Sequence, residues 1–107
     1  MLKNSKLLGM IGLARRAGVL KSGGFGTEKS LTSGKAMLCL VAEDAAEETK
    51  SRIDAKCRKR GIPVRILPVD KETLGRQTGN EQCASVTIED RSFAAAIEKL
   101  IGGAAHE

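Results

Sequence analysis

The sequence predicts an α/β fold in which helices cover both faces of a small sheet. Three observations carry that expectation. Residues 37–42, MLCLVA, are an unbroken apolar run, the pattern of a central strand covered on both sides. Segments with apolar residues at helical spacing alternate with short extended segments along the whole chain. The third is composition: with two Phe, no Trp and no Tyr, the core must be built from Leu, Ile, Val and Ala. At 107 residues the chain suits one domain, 1–107, with one core.

Each element has a local reason. Leu7, Ile11 and Ala14 recur at helical spacing, with Lys3, Lys6 and Arg15 elsewhere on the wheel. Asn4 or Ser5 is the expected cap of this first helix, and Gly18 its end. Val19-Leu20-Lys21 is a short extended piece leading into glycines. Thr27 to Ser33 reads as a second helix, stopped by Gly34 at the C′ position. After the central strand, a third helix is expected from about Ala45 to Arg60, with Asp44 as N-cap. Glu48 with Arg52 and Asp54 with Arg58 are i,i+4 pairs in the favourable orientation, while Ile53 and Cys57 face inward. Gly61 closes that helix, and Pro63 opens the strand VRIL, 64–67. Asp70 caps a short helix ending near Gly75-Arg76. The polar loop QTGNEQ precedes the strand SVTI, 85–88. Asp90 caps a last helix with an apolar stripe of Phe93, Ala96, Ile97, Leu100 and Ile101.

The net charge of +5 and the isoelectric point near 9.4 point to an anionic partner. The charge is blocked: residues 1–35 carry +6, 36–49 carry −4, 50–76 carry +6 and 77–107 carry −3. Two basic blocks around an acidic one suggest a charged face. Cys39, Cys57 and Cys83 are odd in number and widely spaced, and the single His106 is next to last. This argues against a disulfide framework, a metal site and Cys-His catalysis. Reduced thiols are the expectation, in a cytoplasmic protein. The apolar stretch Leu7 to Ala14 ends against Arg15-Arg16 without a cleavage-site pattern, so no signal peptide and no membrane association are expected.

The stretch GGFGTEKS, residues 23–30, comes within one residue of a phosphate-binding loop. Gly23, Lys29 and Ser30 fall in register, but Glu28 occupies the second glycine position. There it would put bulk and negative charge beside a β-phosphate. No later strand supplies a clear magnesium-binding Asp. A nucleotide hydrolase is therefore rejected. The glycines either turn a strand into a helix or leave backbone N–H groups bare for a nucleic-acid phosphate, with Lys29 one turn inside.

The stretch from Lys21 to Asp44, with its glycine turn, Lys29, "SGKA" and "LCLVAEDA", resembles the ribosomal-protein family called "L seven Ae" and its "L thirty e" relatives. "KRGIPV" (59–64), "LGRQTG" (74–79) and "ASVTI" (84–88) match in the same order, and "GLARRAGVLKSG" (12–23) is similar to the bacterial YlxQ branch. The resemblance implies a three-layer α-β-α sandwich with a small mixed sheet, binding kink-turn or ribosomal RNA without a cofactor or metal. A kink-turn is a duplex bent sharply at a bulge flanked by sheared G·A pairs. The residues it implies for RNA contact are Gly23, Gly24, Phe25, Gly26, Thr27 and Lys29. A second loop would add Arg76, Gly79, Cys83, Ala84 and Ser85.

One departure from the family pattern is local. Where the family commonly has Gly-x-Asn-Glu-x-x-Lys, Phe25 and Gly26 replace the Asn and Glu that address guanine edges. Phe25 either stacks on a base or packs inward, and Thr27 and Glu28 either cap the helix or meet RNA. Arg52, Lys56 and Lys59 share a helix face, as a solvated exterior or a further RNA contact. No set of nucleophile, base and orienting group can be assembled, so a non-enzyme is expected. The expected protein is a monomeric RNA-binding module associated with translation or the ribosome. Its rival is a protein–protein adaptor of the same fold.

Overall fold

A computed structural model describes residues 2–106, and side chains over residues 5–102. The side chains of Lys3, Asn4 and His106 lie outside the described residues. The element order is α1 (Leu2–Arg16), β1 (Leu20–Ser22), α2 (Gly23–Thr32), β2 (Leu38–Ala42), α3 (Glu47–Arg60), β3 (Val64–Leu67), α4 (Lys71–Thr78), β4 (Ser85–Ile88) and α5 (Arg91–His106).

The strands form one mixed sheet in the order β1-β4-β2-β3. β2 runs parallel to β3, with Cys39 opposite Val64, and antiparallel to β4, with Leu40 opposite Val86. Every residue of β2 is buried, as the unbroken apolar run predicts. Its period of two splits the interior. Leu38, Leu40 and Ala42 pack with Leu7, Ile11 and Ala14 of α1, Leu74 of α4 and Ile97 of α5. Cys39 and Val41 face the other way, onto Leu31 of α2 and Ile53 and Cys57 of α3. The fold is thus the expected three-layer α-β-α sandwich. Burying each of these large aliphatic side chains contributes about 1.5–3 kcal/mol. Among the described residues, no helix is long and apolar enough to cross a membrane.

Caps at Asp70 and Asp90 stand as read: Thr73 N–H donates to Asp70 Oδ1 at 2.8 Å and Phe93 N–H to Asp90 Oδ2 at 2.9 Å. Other boundaries move. α1 runs through Asn4 and Ser5, so neither starts it. α3 begins at Glu47 because Asp44 is used elsewhere: its Oδ1 accepts the Lys71 N–H at 2.8 Å, fixing the start of α4. Glu47 and Glu48 then occupy the first turn of α3, where the helix dipole favours acids. α4 continues past Gly75-Arg76 to Thr78 and ends at Gly79 with φ +80°. Asp54 pairs with Arg58 at 2.8 Å as expected, but Arg52 turns to Glu28 instead of Glu48.

Candidate functional site

The first departure that matters for function is at α2. The helix begins at Gly23, four residues before Thr27, so the glycines form its first turn. Only Gly23 carries a positive φ, +80°, and it alone makes the strand-to-helix bend. Ser22, the N-cap, is extended and makes no side-chain hydrogen bond to the first turn. The N–H groups at this end are left without a side-chain cap, and the helix dipole makes the end electropositive.

Gly24 and Gly26 have no positive φ. A Cβ on Gly24 would meet nothing within 4 Å, and one on Gly26 only the Lys21 Cβ at 3.8 Å. Folding therefore has no need of glycine at either position. Between them Phe25 is 82% exposed, so it does not pack inward. Lys29 is exposed one turn further on.

Glu28 is turned away from this end. Its Oε1 accepts from Lys56 Nζ at 2.7 Å, and its Oε2 lies 3.3 Å from Arg52 Nε. The Lys56 hydrogen bond, then the charges of Lys56 and Arg52, hold its carboxyl below the ordinary carboxylate range. The single acid of the GGFGTEKS stretch is thereby neutralised, and it is the helix α3 cations that neutralise it. Arg52 and Lys56 are consequently not a free basic face, while Lys59 stays exposed.

The second predicted element lies beside the first. After Gly79 the chain folds back along α4: Asn80 N–H donates to Gly75 O at 2.8 Å and Cys83 N–H to Lys71 O at 3.0 Å. Gly75 is buried against this return. A Cβ there would come within 2.9 Å of backbone atoms of Asn80, Glu81 and Gln82. Asn80 Nδ2 reaches Ser22 Oγ at 3.4 Å and Thr78 Oγ1 at 3.0 Å, tying the loop to the start of α2. Below the surface, Ser85 Oγ donates to Thr27 Oγ1 at 3.1 Å, and Thr27 Oγ1 donates to Ser85 O at 3.3 Å.

Those last contacts correct part of the expected contact set. Thr27, Cys83 and Ser85 are buried, so their side chains join the two elements from within and do not present themselves to a ligand. Ala84 is half-buried against the α2–α3 side of the core. Gly24, Phe25, Lys29, Arg76 and Gly79 are exposed, and Gly23 and Gly26 are half-buried in backbone that borders them. Sequence reasoning missed Ser22, Asn80 and Gly75, which position the loop. A glycine inside an otherwise helical stretch was the available signal for Gly75.

The hydrolase reading finds no support in this geometry. β1, the strand before the glycines, is a three-residue edge strand, antiparallel to β4.

Comparison with known proteins gives three findings. The model of the "Ribosomal protein L7Ae/L30e/S12e/Gadd45 family" matches residues 5–98. The "RNA-binding protein YlxQ" of Bacillus subtilis (strain 168) is 30% identical over 92 residues, covering 86% of this chain and 91% of that one. Among solved structures, a protein with unknown function from Bacillus halodurans C superposes with a TM-score of 0.83 at 30% identity, covering 91% of this chain and 97% of that one. A Giardia lamblia 15.5kD RNA binding protein superposes with a TM-score of 0.73 at 20% identity, covering 96% and 88%, a likeness of fold.

Proposed function

The chain belongs to the ribosomal protein L7Ae/L30e/S12e/Gadd45 family, and from that premise we propose that it is an RNA-binding protein of kink-turn type. It acts as a monomer in the cytoplasm, in association with translation or the ribosome, and performs no catalysis. The observation that carries the reading is the first turn of α2. Gly24 and Gly26 flank an exposed Phe25 with space for side chains that the sequence withholds. Bare backbone N–H groups at an electropositive helix end suit a phosphate. The absence of Cβ atoms lets a polynucleotide approach closely, and an exposed ring offers a stacking surface for a base.

The loop beside it supplies the second jaw. Ser22 and Asn80 hold it against the α2 end, so a bent RNA meets both elements at once. Arg76 and Lys29 contribute phosphate attraction on either side. Without the Asn and Glu usual in the family, discrimination rests on the shape of the kink and on stacking more than on guanine edges.

Titrating the protein against a kink-turn RNA, a straight duplex and a single strand, at several salt concentrations, tests the proposal. It expects the kinked RNA to bind tightest at every salt. Equal affinity for all three favours an unspecific binder, and no RNA binding favours the protein–protein adaptor.

A further inference from the structure

Most arginines that meet a carboxylate do so away from the α2 end: Arg52 with Glu28, Arg58 with Asp54, Arg65 with Glu98. Arg15, Arg16 and Arg76, like Arg60 and Arg91, are not among them. All three are exposed, and among the described residues none forms an ion pair. They converge on one cleft of about 310 Å³ between α1 and α4, which Gly9, Gly12, Leu13 and Gln77 also line. Like charges gathered around a hollow repel one another unless an anion sits among them.

The cleft has a built shape. Residues 9, 12, 13 and 16 share one face of α1 at i, i+3, i+4 and i+7. Gly9 and Gly12 leave that face concave. A Cβ on Gly12 would come 2.9 Å from Gln77 Oε1, so its absence lets the Gln77 amide lie against α1. Leu13, 51% exposed, adds an apolar wall. The position of Arg15 and Arg16 in the last turn of α1 suits the helix dipole, but that interaction leaves their guanidinium forks available.

The cleft also adjoins the proposed RNA surface. The Arg15 guanidinium lies against Gly79 so closely that a Cβ there would fall 2.5 Å from its Nη2. The hollow formed by Glu72, Asn80, Glu81 and Gln82 carries two carboxylates and would repel phosphate. The charge thus directs a polyanion from the loop onto α1.

We propose that the α1–α4 cleft is a seat for an RNA backbone, with Arg15, Arg16 and Arg76 gripping phosphates of the stem that leaves the kink and Leu13 facing a ribose. The proposal rests on the RNA-binding reading above. Planar guanidinium forks bind phosphate oxygens in pairs, and three of them around a trough match a strand better than a compact ligand.

The test uses two kink-turn RNAs, one with an extended stem and one trimmed close to the bulge. Wild-type protein is expected to bind the extended RNA roughly tenfold or more tighter. The Arg15→Ala/Arg16→Ala variant should lose that advantage and flatten the salt dependence on the extended RNA by about two units. Arg16→Ala alone, whose side chain is not the one against Gly79, should flatten it by about one and leave the trimmed RNA unaffected. Wild-type affinity and slope in the double variant would overturn the proposal, as would equal wild-type affinity for the two RNAs. Should wild-type protein bind neither RNA, the function reading itself fails and this seat with it. Phosphatidylglycerol vesicles bound by wild type and released by the double variant, with RNA binding unaltered, would replace it by a membrane surface.

Discussion

Glu28 and Lys56 meet at 2.7 Å across the gap between α2 and α3. This contact turns the one acid of GGFGTEKS away from the start of α2. The acid that spoils the phosphate-loop pattern is drawn off to α3, and the helix end keeps the positive character of its N–H groups and Lys29. It also engages two cations of α3, since Arg52 is held by the same carboxylate, and leaves Lys59 exposed.

Acid should weaken the fold through two carboxylates. Glu28 is held below its ordinary value of 4.5 by Lys56 and then Arg52, and Asp70 below 3.8 by its Thr73 hydrogen bonds. A depressed carboxyl contributes stability that is present above its unfolded pKa and lost as pH falls through the folded one. Denaturation midpoints should therefore hold above about pH 5 and decline progressively below it. Glu28→Gln should lower the neutral-pH midpoint and make the acid decline shallower. An unchanged acid profile in that variant would show that the pair contributes nothing.

Thr27→Val should act on stability and not on direct RNA contact. It leaves the Ser85 hydroxyl buried without its 3.1 Å partner. Such an orphaned group costs about 1–3 kcal/mol, or a fall in melting temperature of about 5 °C or more. A full-stability variant with weakened RNA binding would return Thr27 to the contact surface.

The pattern of what the sequence reveals follows from range. The five buried residues of β2, the caps at Asp70 and Asp90 and the apolar faces of α1 and α5 are local, and a short window suffices to read them. The expected boundary of α2 is wrong by four residues because glycines carry low helix propensity. Burial of Thr27, Ser30 and Leu31 overrides that propensity through tertiary packing. Arg52 illustrates the same limit: its local partner Glu48 fits the i,i+4 rule, yet Glu28, distant in sequence, takes it. Burial of Thr27, Cys83 and Ser85 depends on α2 lying over β4, which no motif encodes. The family resemblance names both elements of the candidate site but not which of their side chains face out.

Gly75→Ala should disturb the loop. The new methyl would press on backbone of residues 80–82 at 2.8–2.9 Å, and backbone cannot swing aside as a flexible side chain can. Overpacking of this kind costs about 1–3 kcal/mol. The Asn80–Ser22 contact should loosen with it, weakening kink-turn binding. Urea unfolding and RNA titration of one preparation measure both, and wild-type values in each would remove Gly75 from the argument.

Lys29→Ala removes a charge from the electropositive end without touching the core. With about four to six phosphates engaged, the slope of log affinity against log salt should be about −4 to −5 in wild type. The variant should be shallower by about one unit and weaker toward kinked and control RNAs alike. A wild-type slope near zero would remove phosphate contact from the account and favour the adaptor.

The first turn of α2 offers the most discriminating pair of variants, because fold and function ask opposite things of it. Gly26 adopts helical backbone with room for a methyl, so Gly26→Ala should stabilise the protein by about 0.5–1 kcal/mol. If RNA backbone lies against this turn, the same methyl holds it off and the preference for kinked over straight RNA falls. Phe25, at 82% exposure, has almost no burial to lose, so Phe25→Ala should leave the melting temperature unchanged. It should cost about 1–3 kcal/mol of RNA binding where the ring stacks on a base. Measured together, the two variants separate stability from recognition: one gains stability, one leaves it alone, and both lose discrimination. If both keep the wild-type ratio of kinked to straight affinity, the glycine turn does not touch RNA, and recognition must be sought at the loop and along α1.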